Sequence, residues 1–283
     1  MFTIFLAAVL PALILFWYVY SRDINPEPTN LVFKGFLFGG ISTFVSTIIS
    51  GPLMTMGLFS QEPTTVLESV KTAFFGAAIP EETAKLFMLW LLLRGCRDFD
   101  ERYDGLVYAA AVGLGFATFE NLLYVLSAGA GWFAVSVSRA FLAVPGHFAF
   151  AVVMGYYYSR QHFSWDLKEK SSARWKMWLY PVLLHGTYDT ICFVSNLSES
   201  LNLILTFCLL WFCWRLFRHT RNRIIAEAAD NASESGYYAD HRDFYADSRS
   251  RGNGGGFIFG GRDLFGRDIE YYYKDGDDSV DEQ

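Results

Sequence analysis

The apolar residues of this 283-residue chain lie almost entirely before Arg218, gathered into about seven runs. Each run approaches the roughly 20 residues that a helix needs to cross a bilayer. No feature constrains the fold more. In hydrocarbon every backbone N–H and C=O has to be paired within the protein, so the expected fold is all-α, a polytopic transmembrane helical bundle. The runs are Phe2–Tyr20, Gly35–Leu58, Thr65–Leu93, Tyr103–Leu126, Trp132–Tyr158, Trp175–Val194 and Leu201–Phe217. The bulk figures agree: 52% hydrophobic, 18% aromatic, 18% charged and a mean hydropathy of +0.22 are too apolar for an ordinary soluble domain. Past Arg218 the chain turns polar and rich in Gly, Tyr and Asp. Two domains are therefore expected, a membrane domain over residues 1–220 and a tail over 221–283. The Gly252–Gly256 run and the acidic end Asp275–Glu282 predict a disordered tail.

Loop charges set an orientation. Basic residues flank or fill one set of loops: Arg22 and Lys34; Arg94, Arg97 and Arg102; Arg160, Lys168, Lys170, Arg174 and Lys176; and Arg215, Arg218, Arg221 and Arg223. The alternate loops near Gln61–Thr65, Ser127–Gly131 and Ser195–Ser200 carry neither Lys nor Arg, and Lys71 is the one base near that face. The positive-inside rule then places the N-terminus outside and the C-terminus in the cytoplasm of a multi-pass cell-membrane protein. The first run has no basic leader and no cleavage site, so it reads as a retained span. The partner this implies is the lipid bilayer. No basic stripe suggests nucleic acid, and nothing in the sequence sets an oligomeric state. Cys96, Cys192, Cys208 and Cys213 have no zinc-type spacing and read as buried apolar residues.

Against this apolar background the third run carries Pro80-Glu81-Glu82-Thr83-Ala84-Lys85. A charge at the bilayer centre costs roughly 2.5–3.5 kcal/mol on insertion scales, so three within five positions need partners. Lys85 lies i+4 from Glu81 and i+3 from Glu82, within reach of both. Two adjacent carboxylates repel, so the pair can share a proton. Pro80 predicts a kink or a fresh helix start that would aim the glutamates at a positive dipole end. At about 1.5 Å per residue, His147 in the fifth run and His185 in the sixth reach the level of Glu81 and Glu82. Glu120 in the fourth run, Arg139 in the fifth and Asp189 in the sixth form a layer nearer the outer face. Asp189 is i+4 from His185. Glu120 and Arg139, at similar depth on consecutive spans, are expected to form a structural ion pair. A lone buried histidine is usually a hydrogen-bonded core residue; two histidines and two glutamates at one depth point instead to a site. Gly105, Gly113, Gly115 and Ala117 predict close packing around the fourth span, and Gly186 a close approach beside His185.

Glu81-Glu82-x-x-Lys85, Phe116-x-x-x-Glu120-Asn121, Pro145-Gly146-His147 and His185-Gly186-x-Tyr188-Asp189, in that order and on separate spans, closely resemble the motif set of the PrsW-type intramembrane proteases. The resemblance covers roughly residues 1–220. It implies a bacterial membrane peptidase, distantly related to the CAAX-processing and bacteriocin-processing membrane proteases. Its substrate would be a membrane-anchored protein of the anti-sigma-factor kind. The chain departs from the CAAX group, whose pattern is EExxxR and HxxxN, so prenylated substrates do not follow.

No serine or cysteine has an evident partnering base, so peptide hydrolysis here calls for a water activated by Glu81 or Glu82. His147 and His185 would either hold a divalent metal such as zinc, with Asp189 or a glutamate as third ligand, or bind the water and oxyanion directly with no cofactor. Lys85, Glu120, Asn121, Arg139 and Asp189 would support these groups. Two other classes use similar residues: a proton- or ion-coupled transporter, and a non-catalytic scaffold acting through its tail. No internal repeat with a second broken helix supports the transporter.

Overall fold

The computed structural model describes residues 2–250, 257–262 and 268–273. The chain forms two compact units, Met1–Ala232 and Ser233–Gln283. The first is helical. Its helices are α1 (Phe2–Tyr20), α2 (Thr29–Thr55), α3 (Val66–Lys71), α4 (Ile79–Leu93), α5 (Asp104–Ser127), α6 (Trp132–Phe141), α7 (Ala143–Phe163), α8 (Leu167–Ser195) and the start of α9 (Glu199–Ser250). The second unit contains the end of α9 and an antiparallel pair, β1 (Phe257–Arg262) and β2 (Asp268–Tyr273), in register from Phe257↔Tyr273 to Arg262↔Asp268. The Gly252–Gly256 run and the acidic end from Asp275, where disorder was expected, lie outside the described residues.

Among the described residues, three stretches are long and apolar enough to cross a membrane: α2, α5 and Gly129–Phe163, which takes in α6 and α7. Phe5–Tyr20 is a shorter apolar helix. The seven crossings expected from the sequence are not confirmed on this measure. The remaining helices show why: α4 has 15 residues and carries Glu81, Glu82 and Lys85, and α8 opens on Lys168, Glu169 and Lys170. Large apolar side chains are nevertheless exposed around the bundle, among them Phe44, Ile48, Phe133, Phe141 and Trp211. Such a surface suits lipid rather than water.

Helix α5 is the axis of the bundle and packs on α1, α2, α4, α6 and α7. Every residue from Tyr103 to Thr118 is buried. Small residues make this possible. A Cβ on Gly39 of α2 would meet the Phe116 backbone nitrogen at 2.8 Å, and one on Gly115 would meet the Phe36 Cα at 3.0 Å. The backbones of α2 and α5 therefore touch, as small-residue interfaces allow. On its other side α5 carries Gly113, where a Cβ would come within 3.3 Å of the His147 carbonyl oxygen. That contact sets α7, and His147 with it, close against α5.

Two helices depart from regular geometry, each beside a site residue. Between α3 and α4 the segment Thr72–Ala78 is π-helical, and the Ile79 N–H reaches back to the Phe74 carbonyl. Pro80 follows in the first turn of α4 with Glu81 and Glu82. The expected break at Pro80 is thus a wide turn in a continuous helical path. Proline has no N–H to give, and π-turns of this kind recur at functional sites. The fifth run is divided at Leu142 (φ −117°, ψ −63°) into α6 and α7, and Pro145 sits in the first turn of α7, where its missing N–H is tolerated. The cysteines are all free thiols; Cys208 is exposed on α9, against the expectation of burial, and the other three are half-buried.

Candidate active site

Glu81, Glu82 and Lys85 come from the first two turns of α4, Glu120 from α5, Arg139 from α6, His147 from α7, and His185 and Asp189 from α8. The bundle brings all eight together. Lys85 Nζ donates to Glu82 Oε1 at 2.8 Å and lies 3.6 Å from Glu81 Oε2, as the i+3 and i+4 spacings require. It also reaches across to α7 and lies 3.0 Å from His147 Nδ1. An ammonium can only donate, so Nδ1 is the acceptor. The proton of the neutral imidazole is then on Nε2, which donates to Glu120 Oε2 at 2.8 Å. The Phe116 ring lies under the ammonium, 3.9 Å from Nζ, a favourable cation–π placement.

His185 is held from both sides. Nδ1 lies 2.8 Å from Glu82 Oε1, and Nε2 lies 3.2 Å from Asp189 Oδ2 and 3.8 Å from Glu81 Oε2. Phe150 stacks on its ring at 5.0 Å, and the two imidazoles meet edge to face at 5.2 Å. The Phe74 ring covers Gly186, where a Cβ would come within 2.5 Å of it. The close approach expected at Gly186 is therefore to the π-helical segment.

The two glutamates differ. Glu82 is fully buried, and its Oε1 serves both Lys85 and His185. Glu81 retains 14% side-chain exposure, and its Oε2 has no hydrogen-bond partner. Glu82 Oε2 is likewise buried without a hydrogen-bond partner, so the difference lies in Oε1 of Glu82, which binds Lys85 and His185 at 2.8 Å, whereas Glu81 Oε2 stands 3.6 Å from Lys85 Nζ and 3.8 Å from His185 Nε2.

Glu120 and Arg139 form the expected pair, with Arg139 Nη2 donating to Glu120 Oε2 at 2.6 Å. Arg139 Nε also donates to Asn121 Oδ1 at 3.1 Å, and Asn121 Nδ2 donates to the Ala8 carbonyl, tying α1 to the site. Sequence reasoning missed the contact of Glu120 with His147, which makes the pair part of the site. The signal was present: Phe116, Glu120 and Tyr124 share one face of α5, and Phe116 and Tyr124 carry the cations Lys85 and Arg139 on their rings. Reversing either charge alone is expected to abolish stable folding. The doubly reversed Glu120→Arg/Arg139→Glu chain should recover folding, read as detergent-resistant thermal unfolding, but not cleavage, because His147 loses its acceptor. Absence of any folding rescue would show that the two charges are not coupled.

Carboxylates and imidazoles packed together inside an apolar helix bundle, with Glu81 Oε2 and Glu82 Oε2 buried and without hydrogen-bond partners, are the kinds of group that a protease of the intramembrane class uses. Residues 27–215 match the model of the PrsW family of intramembrane metalloproteases, and the chain belongs to that family. Among curated proteins it is similar to Protease PrsW of Geobacillus kaustophilus, 37% identical over 190 residues covering 67% of this chain and 79% of that protein. It is 34% identical to Protease PrsW of Bacillus subtilis over 78% of this chain and 97% of the relative. For Protease PrsW of Oceanobacillus iheyensis the figures are 33%, 80% and 100%. No solved structure matches it.

The family is described as one of metalloproteases, and the residues present fit a divalent ion. One ligand atom each from Glu81, His147 and His185 lies within 4.8 Å of the others. Glu81 Oε2 has no hydrogen-bond partner. Each imidazole has a nitrogen on a carboxylate, the arrangement that orients metal-binding histidines; an ion would take the other nitrogen, displacing Lys85 from His147 Nδ1 and Asp189 from His185 Nε2. Asp189, the other candidate third ligand, lies outside this triad and against His185 Nε2.

Proposed function

We propose that Glu81 takes the proton from the attacking water and that Glu82 is the anchor that fixes Lys85 and His185 around it. The observation that carries this reading is the buried, unpartnered Glu81 Oε2 between His185 Nε2 and Lys85 Nζ. A carboxylate already accepting two short charged hydrogen bonds, as Glu82 does, is a poorer base for water. Lys85 and His185 supply N–H donors where negative charge develops on the substrate carbonyl, the arrangement that lowers the barrier to a tetrahedral intermediate. Glu120 holds His147 in the Nε2–H form, and Asp189 holds the His185 ring. Glu81 then returns its proton to the leaving amine. In the metal-dependent alternative Glu81, His147 and His185 would hold a divalent ion such as zinc in place of these contacts, and the ion would supply Lewis-acid polarisation of the scissile carbonyl.

The substrate in this reading is a membrane-anchored protein of the anti-sigma-factor kind. The chain sits in the cell membrane with its N-terminus outside and its C-terminus in the cytoplasm, as the Lys/Arg loop asymmetry favours. The test is cleavage of co-expressed single-span membrane proteins, with membrane proteomes compared between the native chain and Glu81→Gln. Fragments present only with the native chain support the reading; identical proteomes overturn it. For the metal, purified protein is expected to hold about one transition-metal ion such as zinc per chain, lost in His147→Ala. Full activity after thorough metal depletion would remove the ion from the scheme and leave the carboxylate chemistry.

A further inference from the structure

Away from this site, a second group of acids gathers where the α1–α2 connection meets the α4–α5 connection. Asp23 and Glu27 belong to the first, Glu101 to the second, and Asp104 opens α5. One oxygen each from Asp23, Glu101 and Asp104 lies within 4.8 Å of the others. Asp104 is 1% exposed and Asp23 8%. Each is fixed through one oxygen. Asp23 Oδ1 accepts from the Asn25 N–H at 3.2 Å, and Asp104 Oδ2 from the Asp100 and Glu101 N–H groups at 2.9 and 2.7 Å. The other oxygens, Asp23 Oδ2 and Asp104 Oδ1, are buried with no hydrogen-bond partner. Glu101 is steadied by the amides of Asn25 and Asn231, each at 2.5 Å. Glu27, also buried, accepts from the Tyr108 hydroxyl.

We infer that this junction binds a hard divalent cation, calcium or magnesium, through the carboxylate oxygens of Asp23, Glu101 and Asp104. A buried carboxylate oxygen without a partner is costly; Asp104 and Glu27 can share a proton between their side chains, so Asp23 Oδ2, buried in an acidic cluster, makes the clearest call for a cation. All the donors are oxygens, the set that hard cations take and that zinc does not prefer. The groups bearing on Asp23 add to the need. Burial pushes its carboxyl up to about 7, and the neighbouring acids Glu27 and Glu101 push in the same direction. Tyr103 also faces Asp23. Asp98 and Asp100 add negative charge around Glu27. Arg22, the adjacent base, turns to the Tyr18 carbonyl at 2.7 Å and lies over the Tyr18 ring. The ion would pin two connections, and Asn231 of α9 through Glu101, to the end of the central helix. None of these residues belongs to the candidate active site.

The test is thermal unfolding of the purified full chain in detergent, with millimolar calcium or magnesium against chelator. Cation is expected to raise the Tm by about 4 °C or more. Terbium, a calcium substitute, should give tyrosine-sensitised emission that excess calcium quenches. Asp23→Asn should remove both responses; Glu101→Gln, which keeps the length of the side chain, should weaken both. The shift should survive in His147→Ala, which separates it from any ion at the active site. A native chain with neither Tm shift nor terbium emission would overturn the inference, because its carboxylates would then be sharing protons. Undiminished responses in both Asp23→Asn and Glu101→Gln would also overturn it.

Discussion

Glu81→Gln is expected to lower cleavage of a single-span substrate by about 10²–10⁴-fold while the protein remains at its normal level in the membrane. The amide keeps the size of the side chain but cannot take a proton from water. Glu81 Oε2 has no hydrogen-bond partner and the side chain is partly exposed, so little packing is disturbed. Glu82→Gln should behave differently. It removes the charge that Lys85 and His185 share, and loss of activity should come with loss of stability. Protein level and cleavage, measured side by side in both variants, separate a reacting group from an anchor. If Glu81→Gln cleaves normally and Glu82→Gln is stable but inactive, the two roles are exchanged.

The second large effect belongs to Lys85. Its side chain is 1% exposed and its ammonium is the cation that Glu82, Glu81 and His147 all face. Lys85→Met should destabilise the bundle by roughly 3–5 kcal/mol, because it leaves a fully buried carboxylate without its counter-charge. The double variant Lys85→Met/Glu82→Gln should recover much of that loss, since removing both charges of a buried pair is far less harmful than removing one. Thermal unfolding in detergent reads the cycle. Neutral behaviour of Lys85→Met alone would mean that the glutamates do not depend on this ammonium.

The chemistry was legible in the chain because a bilayer makes charge conspicuous. Glu81, Glu82, His147 and His185 stand out in apolar runs, and counting residues along each run placed them at one depth. The i+3 and i+4 contacts of Lys85 and the i+4 contact of His185 with Asp189 are local, so spacing alone foretold them. The Glu120–Arg139 pair followed from depth on consecutive spans. The span count was less legible. A run of apolar residues does not reveal that α4 has only 15 residues, or that Leu142 divides the fifth run into two helices.

The sequence by itself determined an all-helical membrane domain, its family and the ionisable residues that the bundle gathers into the candidate site. These depend on composition, helical rise and side-chain spacing within single helices. Only the tertiary structure decided that Glu82 binds Lys85 and His185, that Glu120 contacts His147, and that Asp23, Glu101 and Asp104 meet at the far end of connections distant in sequence. The physical reason is rotation. Depth along a helix follows from counting residues, but the direction a side chain faces around the axis is set by how neighbouring helices lock together. Here that locking runs through Gly39 and Gly115 between α2 and α5, and through Gly113 against α7.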